Sequence, residues 1–368
     1  MGDLKYRKLE DTLKADILSG RYSGATKFPS IAALMRRSGL SKNTVLHALD
    51  ELKNQGLISR AQGRISVVTK IGSNRAIGLL LPGVVPWSDY FQPIIDKIAS
   101  LSRQEGFDLL VAHCQSTTLK GRLRDVREHV SELISRKVAG VIYQPVEFFP
   151  EGVGENERHL ADLSRAEIPV VLIDGDIVPP PARSPYDLVT IDNVGAGEAL
   201  ANHLFEAGAQ VVHFVMRPEC YSTILLRRRG VMCAAIAHGR EWTERNVLVA
   251  SPTDRAAVRR HLRQTPRPDA FVCQNDATAV ALAQTLADLK VRVPDDVMLA
   301  GFSDIRQARQ MTPPLTTVRQ PGLEIAEMAF RRLIDRIVHP ELPPVCISLQ
   351  APLIVRGSTV RATKKLYG

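Results

Sequence analysis

The chain reads as an α/β protein with two parts: a small basic head of helices closed by a hairpin, and a two-lobed body of parallel sheets. Three observations predict this. Residues 1–75 carry 14 Lys and Arg against 6 Asp and Glu, whereas the rest of the chain carries 34 against 33. A cationic head on a balanced body implies one part that meets a polyanion and another with a separate task. Apolar residues in the head recur at helical spacing and then alternate as in strands. Beyond residue 76, near-continuous apolar runs alternate with helical segments, the mark of parallel sheets covered on both faces.

The bulk properties exclude several classes. A length of 368 residues suits two or three domains, and 45% hydrophobic with 24% charged residues is ordinary for a globular chain. No apolar run approaches the ~20 residues that span a bilayer, and Met1–Tyr6 has no apolar signal-peptide core. No membrane association is expected, and a cytoplasmic location is. Cys114, Cys220, Cys233, Cys273 and Cys346 are scattered without a C-x-x-C pair, which argues against disulfides or zinc and for small core residues. The first body strand runs into Pro82-Gly83-Val84-Val85-Pro86 rather than a glycine-rich phosphate loop. No catalytic residue, cofactor or metal is expected.

In the head, Leu9, Leu13 and Ile17 form one stripe on a first helix from about Tyr6, which Gly20 stops. Ser30 reads as the N-cap of a short second helix through Arg37, broken at Gly39. Ser41 caps a third helix that buries Val45, Ala48, Leu49 and Leu52 and ends at Gly56. Its first turn presents Lys42, Asn43 and Thr44, with His47 one turn on, a set able to enter a major groove. Leu57–Arg60 and Ile65–Val68 alternate as a hairpin around Ala61-Gln62-Gly63-Arg64. Helix, helix-turn-helix and hairpin make a winged helix-turn-helix.

The run Ile17–Arg21, Phe28-Pro29-Ser30, Leu34, Gly39–Val45, Ala48-Leu49, Leu52, Gly56-Leu57-Ile58 and Gln62-Gly63-Arg64 resembles the GntR family of bacterial regulators. That resemblance implies DNA contacts at Ser41, Lys42, Asn43, Thr44, Gln62 and Gly63. Ala32 and Leu46 replace arginines usual in the family, so backbone grip is expected to lean on Arg36, Arg37, Lys42 and Arg64.

Body strands are predicted at Ala76–Leu81, Phe107–Ala112, Gly140–Tyr143, Pro169–Ile173, Leu188–Ile191, Val211–Val215, Val247–Val249, Ala270–Cys273 and Val297–Gly301. So many exceed one typical sheet, and two lobes with a cleft beyond the strands' carboxyl ends are the natural packing. Ile191-Asp192-Asn193, Ala201–Leu204, Arg227 before Gly230, Asn275-Asp276, Val293–Val297, Gly301-Phe302, Pro314–Gln320 and Leu353–Thr359 resemble the effector-binding body of the LacI/GalR repressors, related to periplasmic sugar-binding proteins. A GntR-type head on such a body is the AraR-like layout.

The resemblance implies an effector site. Tyr90 and Phe91 form a stacking wall with Trp87 nearby, and Asp174, Thr223, Arg227, Asn275, Ser303 and Gln320 supply polar contacts. Arg227, for its fork, and Asn275, for its amide, suit a polyol best. Ser303 stands where the family usually has a carboxylate, and Asp304 is next along the chain. Asp192 and Asp276 are expected as helix caps.

The predicted organisation is a winged-helix domain over 1–69, a linker over 70–75 and an effector-binding body over 76–368. Lobe one takes about 76–180 and 320–338, and lobe two about 187–319 and 339–360. The expected function is a transcriptional regulator, a homodimeric repressor whose heads read a near-palindromic double-stranded DNA operator under control of a small sugar-like effector. The alternative is a transport-type sugar-binding protein.

Overall fold

The computed structural model describes residues 2–18, 21–22, 28–54, 57–59, 67–68, 76–82, 89–116, 118–146, 154–218 and 221–361. The expectations for Gly20, Gly56, Gln62, Gly63, Arg64, Trp87, Cys220 and the 70–75 linker lie outside these residues.

In the head, α1 (Gly2–Leu18) begins earlier than the apolar stripe suggested, and α2 (Ile31–Ser38) and α3 (Lys42–Asn54) follow. The Ser30 hydroxyl accepts the Ala33 N–H at 3.3 Å. Gly39 adopts φ 67 and its N–H closes on the Met35 carbonyl, a left-handed stop that glycine takes without strain. Leu13, Ile17, Leu34, Val45, Ala48, Leu49 and Leu52 are all buried together. Beyond them β1 (Ile58–Ser59) pairs antiparallel with β2 (Val67–Val68). Asp16 ties α1 to α2 by accepting from Arg21 at 3.0 Å, Arg37 at 3.1 Å and Tyr22 at 3.1 Å. Burial alone would raise its pKa, but these donors hold the carboxyl below its ordinary value.

The body contains two six-stranded sheets. The first has the order β13-β7-β6-β5-β3-β4, from β3 (Ala76–Leu81), β4 (Asp108–His113), β5 (Val141–Tyr143), β6 (Val170–Ile173), β7 (Asp187–Ile191) and β13 (Cys346–Leu349). The second has the order β14-β12-β11-β10-β8-β9, from β8 (Val212–Met216), β9 (Val247–Val249), β10 (Ala270–Cys273), β11 (Met298–Phe302), β12 (Thr316–Val318) and β14 (Leu353–Ile354). Every pairing is parallel except β12 with β14. Central strands are buried along their whole length, which is why they read as unbroken apolar runs. Fully buried Tyr143, Phe214, Phe271 and Phe302 anchor the cores, and each large apolar side chain contributes about 2–3 kcal/mol.

The first sheet is served by α4 (Phe91–Gln104), α5 (Leu119–Ser135), α6 (Glu155–Arg165) and the late helix α12 (Gly322–Val338). The second is served by α7 (Asn193–Glu206), α8 (Ser222–Ala237), α9 (Arg255–Leu262), α10 (Asp276–Asp288) and α11 (Arg306–Gln310).

The lobe boundaries need one correction. β7 and β13, expected in lobe two, belong to the first sheet, where Ile347 pairs with Val189 and Leu172 with Leu188. The reason lies in Asp187, 1% exposed, which accepts from Arg332 and Arg336 of α12 at 2.9 Å each. A buried carboxylate held by two guanidinium groups pins β7 to the helix of its own lobe.

Candidate effector cleft and nucleic-acid interface

Helices α7 and α8 approach closely because glycine stands on each side. A Cβ on Gly197 would lie 2.3 Å from the Arg227 carbonyl, and one on Gly230 would lie 2.1 Å from the Val194 carbonyl. This contact places Arg227 on α8 against the start of α7. Arg227 is 4% exposed and donates from Nε to Asn193 Oδ1 at 2.9 Å and from Nη1 to the Gln274 carbonyl at 2.9 Å. Nη2 reaches Gln320 Oε1 at 3.4 Å, and the guanidinium lies 4.7 Å from the Phe302 ring centre. Burial lowers its pKa, opposed by the fields of Asp174, Tyr90 and Asp276.

Two cavities are lined by partners of this arginine. The smaller, of about 230 Å³, is lined by Asp174, Thr190, Asn193, Ser222 and Thr223. The larger, of about 770 Å³, is lined by Asp89, Tyr90, Ser303, Arg319 and Gln320. Arg227 bonds to one lining residue of each.

The sequence-named residues divide accordingly. Thr223 is buried on the smaller cavity. Asp174 follows β6 at φ 68, with its Oδ2 accepting from Gln144 Nε2 at 3.2 Å. Burial raises its pKa, against the charge of Arg227 and the Gln144 donor. Gln320 donates from Nε2 to Ser303 Oγ at 2.9 Å. Ser303 adopts φ 120 and faces the larger cavity. Tyr90 lines the same cavity, while Phe91 turns into the lobe-one core and meets Tyr90 edge-on at 4.7 Å. The expected two-ring wall is therefore one ring, because Phe91 opens α4 on its buried side.

Asn275 follows β10 and caps α10, its Oδ1 accepting the Thr278 N–H at 2.9 Å. Its carbonyl is thus committed to the helix. Asp192 caps α7 through Gly195, but Asp276 is not a cap. It is fully buried beneath the cleft, accepting from Thr317 Oγ1 at 2.6 Å and from the Ile305 N–H at 3.0 Å. Burial raises its pKa to about 6. Asp304 does not replace the missing carboxylate at Ser303, since Arg309, Arg319 and Arg356 hold it.

Three participants escaped sequence reasoning. Asn193 orients Arg227 while its own Nδ2 donates to Thr190 Oγ1 at 3.2 Å and the Ile191 carbonyl at 3.1 Å. Gln144, directly past β5, reaches Asp174; the available signal was a polar residue at a strand's carboxyl end. Asp89 accepts the Arg306 N–H at 2.8 Å and so joins the loop before α4 to the start of α11 across the cleft mouth. On the opposite side, the Asp176 N–H donates to Ser222 Oγ at 2.9 Å.

On the head, Lys42 and Asn43 are exposed at the start of α3. The Ser41 and Thr44 hydroxyls share a hydrogen bond of 2.8 Å, and Ser41 Oγ also accepts the Thr44 N–H at 3.3 Å. The His47 ring packs on Tyr6 of α1 with centres 4.2 Å apart. Arg36 is exposed. Arg37, expected to grip phosphate, is drawn into the Asp16 cluster because α1 offers it a carboxylate.

Residues 5–68 match the gntR family of bacterial regulatory proteins, and residues 201–359 match the periplasmic binding protein-like domain. The chain is therefore a DNA-binding transcriptional regulator in which a GntR-type helix-turn-helix head is joined to a LacI/GalR-type body. Its layout is AraR-like. It is 28% identical over 366 residues to the arabinose metabolism transcriptional repressor of Geobacillus stearothermophilus, covering 96% of this chain and 97% of that one. It is 27% identical over 350 residues to the HTH-type transcriptional repressor PurR of Escherichia coli, covering 89% and 96%. The fold matches the transcriptional regulator CelR–cellobiose complex with a TM-score of 0.65 at 21% identity, over 90% of this chain and 100% of that one. Among the described residues no helix is long and apolar enough to cross a membrane.

Proposed function

We propose that this regulator is a homodimeric repressor that holds a near-palindromic operator in the cytoplasm and releases it when a small sugar fills the cleft. One observation carries the reading: Arg227 is buried and bonded to one lining residue of each of two cavities, Asn193 of the smaller and Gln320 of the larger. A planar fork at a hinge between lobes reads hydroxyls bidentately and senses their closure. Similarity along nearly the whole chain to a repressor of arabinose metabolism supports the sugar as ligand class.

The residues assigned to DNA are Ser41, Lys42, Asn43, Thr44 and Arg36, with Gln62, Gly63 and Arg64 from the wing. Lys42 and Asn43 face solvent at the amino end of α3, where a recognition helix meets base edges. His47 and Arg37 are exposed as well, and each also contacts α1, His47 through Tyr6 and Arg37 through Asp16. Those assigned to effector are Tyr90, Asp174, Thr223, Arg227, Asn275, Ser303 and Gln320. The protein works by binding without turnover. A ligand shifts the lobes only through its different affinity for open and closed forms. Closure changes the spacing of two paired heads and mismatches them to the operator half-sites.

The test is a mobility-shift titration of the purified chain on its own upstream DNA, with and without arabinose, ribose or cellobiose. A retarded complex that one of these sugars dissolves is expected. Failure to retard any upstream fragment would sink the reading.

A further inference from the structure

A third cavity, of about 660 Å³, lies in lobe two away from the cleft. It sits at the amino ends of β8 and β9, whereas the cleft lies beyond the carboxyl ends of the strands. The carboxyl end of α8, the turn Glu244–Asn246 and the loop after α9 enclose it. Phe205, Val212 and Ala235, all buried, give it an apolar floor. A space of this size, apolar beneath a few polar groups, has the make-up of a small-molecule site.

One polar group in its wall is buried and unpartnered. His213 is 2% exposed and lines the cavity. Burial pushes His213 and His261 each down to about 4, so both rings are neutral at pH 7. Gln264 Nε2 can only donate, and it does so to His261 Nδ1 at 3.0 Å. His261 therefore carries its hydrogen on Nε2 and donates to His213 Nδ1 at 2.8 Å. His213 is left with its hydrogen on Nε2, which has no partner among the described residues. Its Nδ1 edge is turned to His261, outside the cavity, and the Nε2 edge is the one left for the open space. A buried N–H without an acceptor is costly and marks where one belongs. The indole N–H of Trp242, between the lining residues Glu241 and Thr243, is also buried without a partner. The charges at the rim agree. Arg240 donates to the neutral Gln210 side chain, and neither Arg240 nor Arg245 has an acidic partner among the described residues. Of the two lining carboxylates, Glu244 is taken by Arg228 and Glu241 is left over. Two unanswered guanidinium groups thus stand against one unanswered carboxylate. The carboxyl end of α8 would oppose an anion, but the Arg240 N–H closes the Ala235 carbonyl and the Gly239 N–H closes that of Ile236, each at 2.9 Å.

We propose that this cavity is a second small-molecule site, separate from the effector cleft, for a metabolite that carries an oxyanion, either a carboxylate or a phosphate ester. Arg240 and Arg245 hold the oxyanion, His213 Nε2–H donates to a further ligand oxygen, and the apolar floor covers the ligand's carbon body. A guanidinium fork matches the paired oxygens of either head group, which is why the two belong to one ligand chemistry. The site makes no demand on the cleft, so it holds whichever ligand the cleft takes.

The experiment uses the full chain in thermal shift and calorimetric titration, with citrate, benzoate, glycerol 3-phosphate and phosphoenolpyruvate as probes and glycerol as the neutral control. At least one anion is expected to bind and raise the melting temperature, with glycerol at least about 100-fold weaker. The carboxylates and the phosphate esters separate the two head groups, and binding of either supports the site. Arg245→Gln removes an exposed, partnerless cation. It is expected to keep the ligand-free melting temperature and operator retention of wild type while binding the anion about 10-fold more weakly, and Arg240→Gln should lose at least as much. His213→Phe, checked for native circular dichroism, should weaken the anion comparably. Wild type that binds none of the four anions would overturn the proposal. Undiminished anion affinity in both arginine variants would place the anion in the cleft or on the basic head and overturn it too. Glycerol bound as tightly as the anions would defeat the oxyanion assignment, and a natively folded His213→Phe with full affinity would remove His213 from the site. None of these results bears on whether a sugar fills the cleft.

Discussion

Asn193 holds Arg227. Its Oδ1 takes the guanidinium Nε–H at 2.9 Å, and its Nδ2 is spent on Thr190 and the Ile191 carbonyl, so the amide cannot rotate away. The arginine's aim is thus set through Asn193 by the carboxyl end of β7, a strand of the opposite lobe's sheet. Asn193→Ala should free the fork and weaken sugar binding about 10-fold, with operator affinity within twofold of wild type. Arg227→Ala should abolish the ligand response altogether and leave DNA affinity intact. Calorimetry with the active sugar, paired with mobility shifts, checks both; full induction of the Arg227 variant would refute the placement of the site.

The α7–α8 contact predicts a second outcome. Gly230→Ala drives a methyl to 2.1 Å from a backbone oxygen that has no room to move. The helices must part, at a cost of about 1–3 kcal/mol or more, and Arg227 shifts with them. Urea unfolding should show a lower midpoint, and sugar affinity should fall even though the residue touches no ligand. An unaltered midpoint would mean that the two helices slide freely.

Lys42→Ala combined with Asn43→Ala should eliminate operator retention without changing the melting temperature by more than a degree or two, because both side chains stand in solvent. Sugar binding should persist. In wild type, operator affinity should drop by ~10³ or more between 50 and 200 mM salt if six or more phosphates are neutralised. A shallow salt slope in filter binding would contradict the charge argument for the head.

Stability should depend on pH through three buried imidazoles. His159, His213 and His261 are each pushed down to about 4, first by burial, with His213 further lowered by its neighbour His261 at 2.8 Å. Unfolded histidine titrates near ~6.5, so below that pH the unfolded chain binds more protons than the folded one. Their contribution is therefore complete above about pH 6.5 and is lost as pH falls toward 4, at up to about 1.4 kcal/mol per unit for each residue. Melting curves should be level from pH 8 to 7 and descend steeply below 6; a level curve down to pH 5 would show that these rings are solvated.

Much of this was legible in the residues because the cause was local. Ser30, Gly39 and Ser41 mark helix ends by chemistry that needs no partner far along the chain, and the three head helices follow. The nine predicted body strands announced themselves as apolar runs. The strands that did not, Thr316–Val318, Cys346–Leu349 and Leu353–Ile354, are short, and two of them lie at sheet edges where polar residues alternate with apolar ones. Cys346, expected in a core, is exposed there for the same reason. At the cleft, charge alone did not separate Arg227 from Arg228 and Arg229; its place three residues before Gly230 in the resemblance did. Phe91 and Asp276 were misread because one residue's difference in a helix start decides between cap, core and floor. Gln144 and Asn193 act through partners 30 and 34 positions away, Asp174 and Arg227, and no spacing rule connects such pairs.

The two sheets are stitched together by three passages of the chain: after β7, after β12 and after β13. The head hangs from the body by a single covalent thread. One recombination junction near residue 75 can therefore graft a new reader of DNA onto an old sensor, whereas exchanging a lobe would require several simultaneous joints. Architecture of this kind lets target choice and ligand choice evolve on separate clocks, with the sensor inherited whole.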